Sequence, residues 1–104
     1  MTPALDPVIH PPHRLRACAM LFVGGPVELS VVKEGLGISK SALSKQIAAL
    51  AEAGYVTQSR SPSDSRRIWL DLTREGRAAY AGHVAALQAI VTPSASSGAV
   101  REAG

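Results

Sequence analysis

The apolar residues of this chain recur at helical spacing in four stretches and alternate strictly in one, and the order of these patterns predicts the architecture. In the first stretch, residues 14–23, Leu15, Cys18 and Phe22 share one stripe while Met20, Leu21 and Val23 fill other sides. A helix apolar on nearly every side is expected to be buried on more than one side. Pro12 suits the first helical position, where its missing N–H would be unpaired anyway, and Gly24, Gly25 and Pro26 stop the helix. A second helix is predicted over residues 28–35, with Leu29, Val32 and Leu36 at three- and four-residue spacing. Leu36-Gly37-Ile38 makes a tight link in which Gly37 can take a positive φ. Ser39 is placed to cap a third helix over residues 40–53, which Gly54 ends. On that helix Leu43, Ile47 and Leu50 share one face, and Ser41, Ser44, Lys45 and Ala48 point the other way.

Residues 55–60 are rich in strand formers, and a polar turn, SPSDS, follows. Residues 67–72 then alternate, with Ile68, Leu70 and Leu72 on one face and Arg67, Trp69 and Asp71 on the other. Two strands joined by a polar loop predict a hairpin. Thr73 caps a last helix running to about Val91. Tyr80, Val84, Leu87 and Val91 on it are spaced four, three and four apart, and Ala78, Ala81 and Ala85 allow close approach beside them. This stripe extends past what one small domain needs to cover, so its distal half is expected to form a homodimer interface. The prolines of residues 1–11 predict an extended arm, and residues 92–104, rich in Ser, Ala and Gly, a disordered tail. The fold class expected is mainly α with a small β-wing (α+β), a winged helix-turn-helix over residues 12–91 whose helix at about 73–91 dimerises.

Charge sharpens this picture. The chain carries a formal net charge of +3, and the whole excess lies within residues 39–77. There Lys40, Lys45, Arg60, Arg66, Arg67, Arg74 and Arg77 face Glu52, Asp64, Asp71 and Glu75, whereas the remaining charges cancel. Such a footprint suits phosphate contacts. A single cysteine, Cys18, excludes an internal disulfide framework and fits a reducing cytoplasm. No segment has the length and purity of a membrane span, and the opening residues lack the build of a signal peptide. A cytoplasmic location is therefore expected, with no membrane partner. No Ser/His/Asp set, carboxylate pair or glycine-rich phosphate loop occurs at a usable spacing, so neither an enzyme nor a cofactor is expected. A core built from small side chains, with one Trp, one Phe and two Tyr, buries modest area per residue, and dimerisation would help to stabilise it.

Two helices joined by a glycine turn, with small and polar residues exposed on the second, fit a helix-turn-helix. A helix entering the major groove needs short donors and a few cations on its outward face, because bulky side chains hold it away. Ser41, Ser44, Lys45 and Ala48 meet that need, with Ser39 and Lys40 at the helix start and Gln46 at the edge of the face. Serine hydroxyls near a helix N-terminus contact phosphates or bases, glutamine reads adenine, and lysine reaches guanine or a phosphate. The following hairpin carries Arg60, Ser63, Asp64, Arg66 and Arg67 about its tip. An arginine there can enter the narrow minor groove, where the negative potential is strongest, and Asp64 can hold Arg66 extended. The same face could instead be an amphipathic surface or meet an acidic protein, which keeps a protein-interaction module as the alternative.

The stretch ISKSALSKQIAALAEAGYVTQSRSPSDSRRIWLDLTREGRAAY resembles the DNA-binding core of MarR-type winged-helix regulators and their shorter relatives. The likeness rests on the recognition-helix run 39–50 leading into Gly54-Tyr55-Val56. It rests also on Asp64-x-Arg66 followed by Leu70-x-Leu72-Thr73-x-x-Gly76, and on the opening His10-Pro-Pro-His-Arg14-Leu15-Arg16. The resemblance implies a dimeric transcription factor with the outward residues of the third helix in the major groove and Arg66 in the wing; a repressor on a pseudo-palindromic duplex operator is expected, with an effector, if one exists, an unknown small molecule. Full-length members have further dimerisation helices at both ends, so this chain is expected to be of the short type.

His10, His13, His83 and Cys18 invite a third reading as a metal-responsive regulator, but their spacing suits no zinc site within one chain and there is no cysteine pair. A site shared across subunits between His83 and the N-terminal histidines is the form that reading would take. Cys18, among apolar residues, reads as a small core hydrophobe, and Trp69 as packing beneath the wing or against a second subunit.

Overall fold

The computed structural model describes residues 4–92. Helix α1 (Pro12–Gly24) leads through strand β1 (Val27–Glu28) into α2 (Leu29–Leu36) and α3 (Lys40–Glu52). Strands β2 (Val56–Arg60) and β3 (Ile68–Leu72) form the hairpin, and α4 (Arg74–Val91) ends the chain's regular structure. The three strands make one antiparallel sheet in the order β1-β3-β2. The sequence reading expected two strands and began the second helix at Glu28. Two residues are too short to show any period, yet Val27 pairs with Leu70 and Glu28 with Trp69.

The punctuation residues act as expected. Gly37 adopts a left-handed conformation at the end of α2, with φ 67° and ψ 35°. Ser39 Oγ accepts the Ala42 N–H at 3.1 Å and caps α3. Around this frame the core gathers Leu21 of α1, Val32 and Leu36 of α2, Leu43, Ile47 and Leu50 of α3, and Val56, Leu70 and Leu72 of the sheet. Helix α1 packs against α2, α3, α4 and β3, as its broad apolar surface predicts, but part of that surface stays open. Ala17, Cys18 and Leu21 are buried, but Phe22 and Val23 are exposed.

The proline-rich opening also departs from expectation over its described part. Residues 5–11 do not form an extended arm. Asp6 Oδ1 accepts the N–H groups of Val8 and Ile9, at 2.8 and 3.3 Å, and the Asp6 carbonyl accepts those of Ile9 and His10. The resulting turn drives Ile9 fully into the core. Prolines forbid a helix here, but they leave the aspartate free to organise a turn, and burial of one isoleucine anchors it. Most of the tail expected to be disordered, residues 93–104, lies outside the described residues. No helix among the described residues is long and apolar enough to cross a membrane.

Helix α4 is joined to the rest at a close contact. Thr73 Oγ1 caps it by accepting the Gly76 N–H at 2.9 Å, and donates to the Gly54 carbonyl at 2.6 Å. The Thr73 N–H donates to the Tyr55 carbonyl at 2.9 Å. Gly76 lies against that same carbonyl, where a Cβ would overlap backbone atoms. The Thr73-x-x-Gly76 pattern thus has a physical reason: only glycine lets α4 start this close to the end of α3.

Candidate nucleic-acid interface

Helix α3 presents its polar face to solvent because its apolar residues are taken by the core. Leu43, Ile47 and Leu50 are buried, whereas Lys40, Ser41, Ser44, Lys45 and Ala48 are exposed and Gln46 is half-buried at the edge. The outward surface is therefore flat and small-residued, with two lysines at its N-terminal half. Ser39 takes a structural part. Its hydroxyl holds the helix cap and lies 3.3 Å from Ser41 Oγ.

The wing is a well-braced loop. The Ser61 N–H donates to the Arg67 carbonyl, and the Arg67 N–H to the Asp64 carbonyl, both at 3.0 Å. Arg60 Nη1 donates to the Ser65 carbonyl at 2.6 Å, and Ser61 and Ser63 hydroxyls pair at 3.1 Å. Asp64 Oδ1 accepts both the backbone N–H of Arg66, at 3.0 Å, and its Nε–H, at 3.2 Å. These bonds hold the Asp64 carboxyl below the usual carboxylate range, the side-chain bond from Arg66 contributing most. The Arg66 side chain nonetheless remains 89% exposed.

The three wing arginines thus divide by task. Arg67 makes a two-pronged ion pair with Glu28, at 3.3 Å from Nε and 3.2 Å from Nη2, and its guanidinium lies over the Trp69 ring at 5.7 Å. Arg60 pins the loop backbone. Arg66 alone reaches outward with its guanidinium bonded only to Asp64. Trp69 is half-buried beneath the wing and paired with Glu28 across the sheet.

The fold brings helix and wing together. Lys40 of α3 and Arg66 of the wing line one groove, and Lys33 of α2 joins them there. Ser44 and Ala48 line an adjoining hollow with Gln58 of β2. Lys33 and Gln58 escaped the sequence reading. Lys33 sits in a segment whose charges cancel along the chain, and only folding places it at one groove with Lys40 and Arg66.

On α4 the expected seam is uneven. Tyr80 packs on Phe22, ring centroids 5.0 Å apart. Val84 and Leu87 are half-buried and Val91 is 70% exposed. The fully covered stripe is instead Gly76, His83 and Ala86. His83 meets His10 within one chain, Nε2 to Nδ1 at 3.3 Å. Among the described residues no three His, Cys, Asp or Glu side chains gather as a metal site would require, and His13 stands apart from this pair's hydrogen bonds. Cys18 is buried, as expected of a core residue, and burial pushes its thiol up to about 11.

Comparison with solved structures finds this fold repeatedly. The transcriptional regulator homologue from Pyrococcus horikoshii OT3 superposes with a TM-score of 0.78 at 20% identity, over 83% of this chain and 86% of that one. The PcaV transcriptional regulator from Streptomyces coelicolor, solved with its natural ligand, gives 0.71 at 22% identity, over 86% of this chain and 65% of its own. A mutant of MarR from E. coli, complexed with operator DNA, gives 0.65 at 20% identity, over 75% of this chain and 56% of its own. The chain thus spans less than two thirds of the length of PcaV and of MarR. No curated protein matches it in sequence. Residues 13–91, which include every element from α1 to α4 apart from Pro12, match the family described as winged helix DNA-binding domain, and the chain belongs to that family.

Proposed function

We propose that this protein is a MarR-type transcriptional regulator, a repressor, that binds a pseudo-palindromic duplex operator as a homodimer. In this reading α3 enters the major groove with Ser41, Ser44, Lys45 and Gln46 toward the base edges, while Lys40 and Lys33 meet phosphates. Arg66 enters the minor groove, held extended by Asp64. Ser39, Arg60, Ser63 and Arg67 act on DNA indirectly, by fixing the start of α3 and the shape of the wing. The observation that carries the reading is the groove shared by Lys40 and Arg66. It puts exposed cations of helix and wing on one surface, as a protein that spans adjacent grooves requires.

The homodimer is supported by the distal part of α4. At 1.5 Å per residue this 18-residue helix is about 27 Å long. Its last buried residue is Ala86, so Ile90 and Val91 project past the core, 59% and 70% exposed. Phe22 and Val23 add exposed apolar surface on α1. A two-fold pairing there would place two copies of α3 about one helical turn of DNA apart. A cytoplasmic location and the absence of catalysis belong to the same reading. A small-molecule effector does too, by analogy with PcaV and its ligand.

The test is selection of bound sequences from a random duplex library, followed by anisotropy titration over a range of salt. Recovery of a palindrome is expected. Lys45→Ala and Arg66→Ala should each weaken binding to the selected sequence, and Lys40→Ala should lower the slope of log K against log salt by about one. A folded double variant of Lys45 and Arg66 that binds every selected duplex as tightly as the parent would overturn these contacts. Absence of salt-sensitive binding to any duplex would favour a protein-interaction module.

A further inference from the structure

Away from the basic face, side chains from three parts of the chain form a polar cluster that the DNA reading does not use. His83 of α4 is fully buried. Its Nδ1 accepts the backbone N–H of Asp6 at 2.8 Å, which places the ring's single proton on Nε2. That N–H is directed at Nδ1 of His10, 3.3 Å away, and the two rings meet edge-on with centroids 5.2 Å apart. The Asp6 carboxylate accepts the Val8 and Ile9 N–H groups on one oxygen and the Tyr55 hydroxyl, at 2.6 Å, on the other. His10 itself is exposed, so water reaches the outer edge of a pair whose inner ring is buried.

We infer that this cluster is a proton-operated latch: a second proton on His83 breaks its bond from Asp6 and releases the N-terminal turn from α4 and Tyr55. The geometry makes this unavoidable for the ring. An imidazolium donates from both nitrogens, so Nδ1–H would confront the Asp6 N–H, and buried donors facing one another are costly. The groups bearing on its charge are few. From the N-terminal turn, His10 opposes the proton and the Asp6 carboxylate favours it; burial is the largest influence, and the balance lowers the His83 pKa. Tyr55, just before β2, spends its hydroxyl on Asp6, and Cys18 of α1 is a neutral buried thiol.

The sign follows by linkage. The released state binds the proton at the ordinary histidine value, about 6.5, and the latched state only at lower pH. The latch is therefore fully closed above about pH 6.5 and weakens as pH falls from there toward the depressed value. Its release has somewhere to go. Tyr55, whose hydroxyl grips Asp6, also takes the Thr73 N–H on its carbonyl and abuts Gly76. It thus stands at the joint that sets α4 relative to α3. If α4 pairs the two subunits, as proposed above, DNA affinity falls as the latch opens, and this last consequence rests on that reading.

The latch can be tested on the full chain without DNA. Nitrogen-detected NMR should show His83 as the Nε2–H tautomer at pH 7.5. Exchange protection of the Ile9 and His10 amides, both donors to the Asp6 carbonyl, should fall below pH 6.5 by up to about tenfold per pH unit beyond intrinsic exchange. H83Q, whose side-chain carbonyl can accept from Asp6 but does not titrate, should hold protection level with pH. Unchanged protection of the parent from pH 7.5 to 5, or a proton on Nδ1 at pH 7.5, overturns the latch, and both are read on the parent even if the variant fails to fold. Anisotropy on a selected duplex then reads the coupling. Affinity should fall severalfold more in the parent than in H83Q between pH 7.5 and 5.5, and equal falls would overturn the coupling. A chain that binds no duplex at any pH would refute the DNA reading while leaving the exchange result standing on its own.

Discussion

Replacing Gly76 by alanine tests the joint between α4 and the reading head. The added Cβ would overlap the Tyr55 carbonyl oxygen and stand 2.9 and 3.0 Å from the carbonyl carbon and Cα of the same residue. Ordinary carbon–carbon contact is about 3.5–4.0 Å. The obstacle is backbone, so no side-chain rotamer relieves it, and the start of α4 must retreat by roughly 1 Å. Such a retreat takes the Thr73 N–H bond to Tyr55 and the Thr73 hydroxyl bond to Gly54, now 2.9 and 2.6 Å, out of good geometry. Two hydrogen bonds at about 1 kcal/mol each and overpacking of about 1–3 kcal/mol oppose a gain of about 1 kcal/mol in helix propensity. The expected loss is about 2–4 kcal/mol, a fall in Tm of about 10–25 °C for a domain this small.

Urea unfolding followed by circular dichroism, at one fixed protein concentration, reads this directly. The midpoint should drop with m unchanged. Gly82 supplies the control, because a Cβ there meets nothing within 4 Å and its φ is not in the left-handed region. G82A should leave stability unchanged or raise it by up to about 1 kcal/mol through propensity alone. If G76A behaves like G82A, the close approach of α4 to Tyr55 is not what fixes that helix.

Two further outcomes follow from the same contacts. Tyr55→Phe keeps the ring but removes the hydroxyl's bond to the Asp6 carboxylate, and should cost about 1–3 kcal/mol in urea unfolding near neutral pH; no measurable loss would mean that the N-terminal turn docks without it. Cys18, buried and with its thiol raised to about 11, should label with a thiol reagent at pH 8 only as fast as the protein opens, so its rate should rise with urea in step with unfolding. Rapid labelling in the absence of urea would contradict its burial.

Periodicity located what depends on one element at a time. The buried face of α3, the Ser39 and Thr73 caps and the left-handed Gly37 are all local consequences of side-chain spacing and backbone permissiveness, and residues 37–54 and 73–76 show them in their own sequence. What was not legible depends on meeting across the chain. Strand β1 exists because β3 has a free edge, and its two residues carry no pattern of their own. The opening turn depends on Asp6 finding Tyr55, 49 positions away, and His83, 77 positions away. The histidines offer a metal shared with a second copy as one reading, and spacing alone does not show that His10 and His83 meet within one chain, 3.3 Å apart. The Asp64-x-Arg66 spacing already singles out Arg66, but nothing local assigns Arg67 to bracing the wing. Only the arrival of Glu28 beside the wing does so.

That last distinction bears on how the wing could read DNA. A guanidinium entering a narrow groove loses water and rotamer freedom, so its attraction to the groove must exceed both costs. Arg66 has part of the ordering done in advance, since Asp64 bonds its backbone and its Nε together. In the proposed DNA-bound state Asp64 would also bring a negative charge toward the phosphates, which opposes binding. The arrangement therefore favours position over raw attraction, and it works only if the loop bearing Arg66 is itself stiff. Arg60 and Arg67 supply that stiffness, one by holding the Ser65 carbonyl and the other by tying the hairpin to Glu28 on β1. Three cations in the wing thus amount to one that reaches outward and two braces. Glu28, 39 positions from Arg67 in sequence, becomes as much a part of the wing as the arginine it holds.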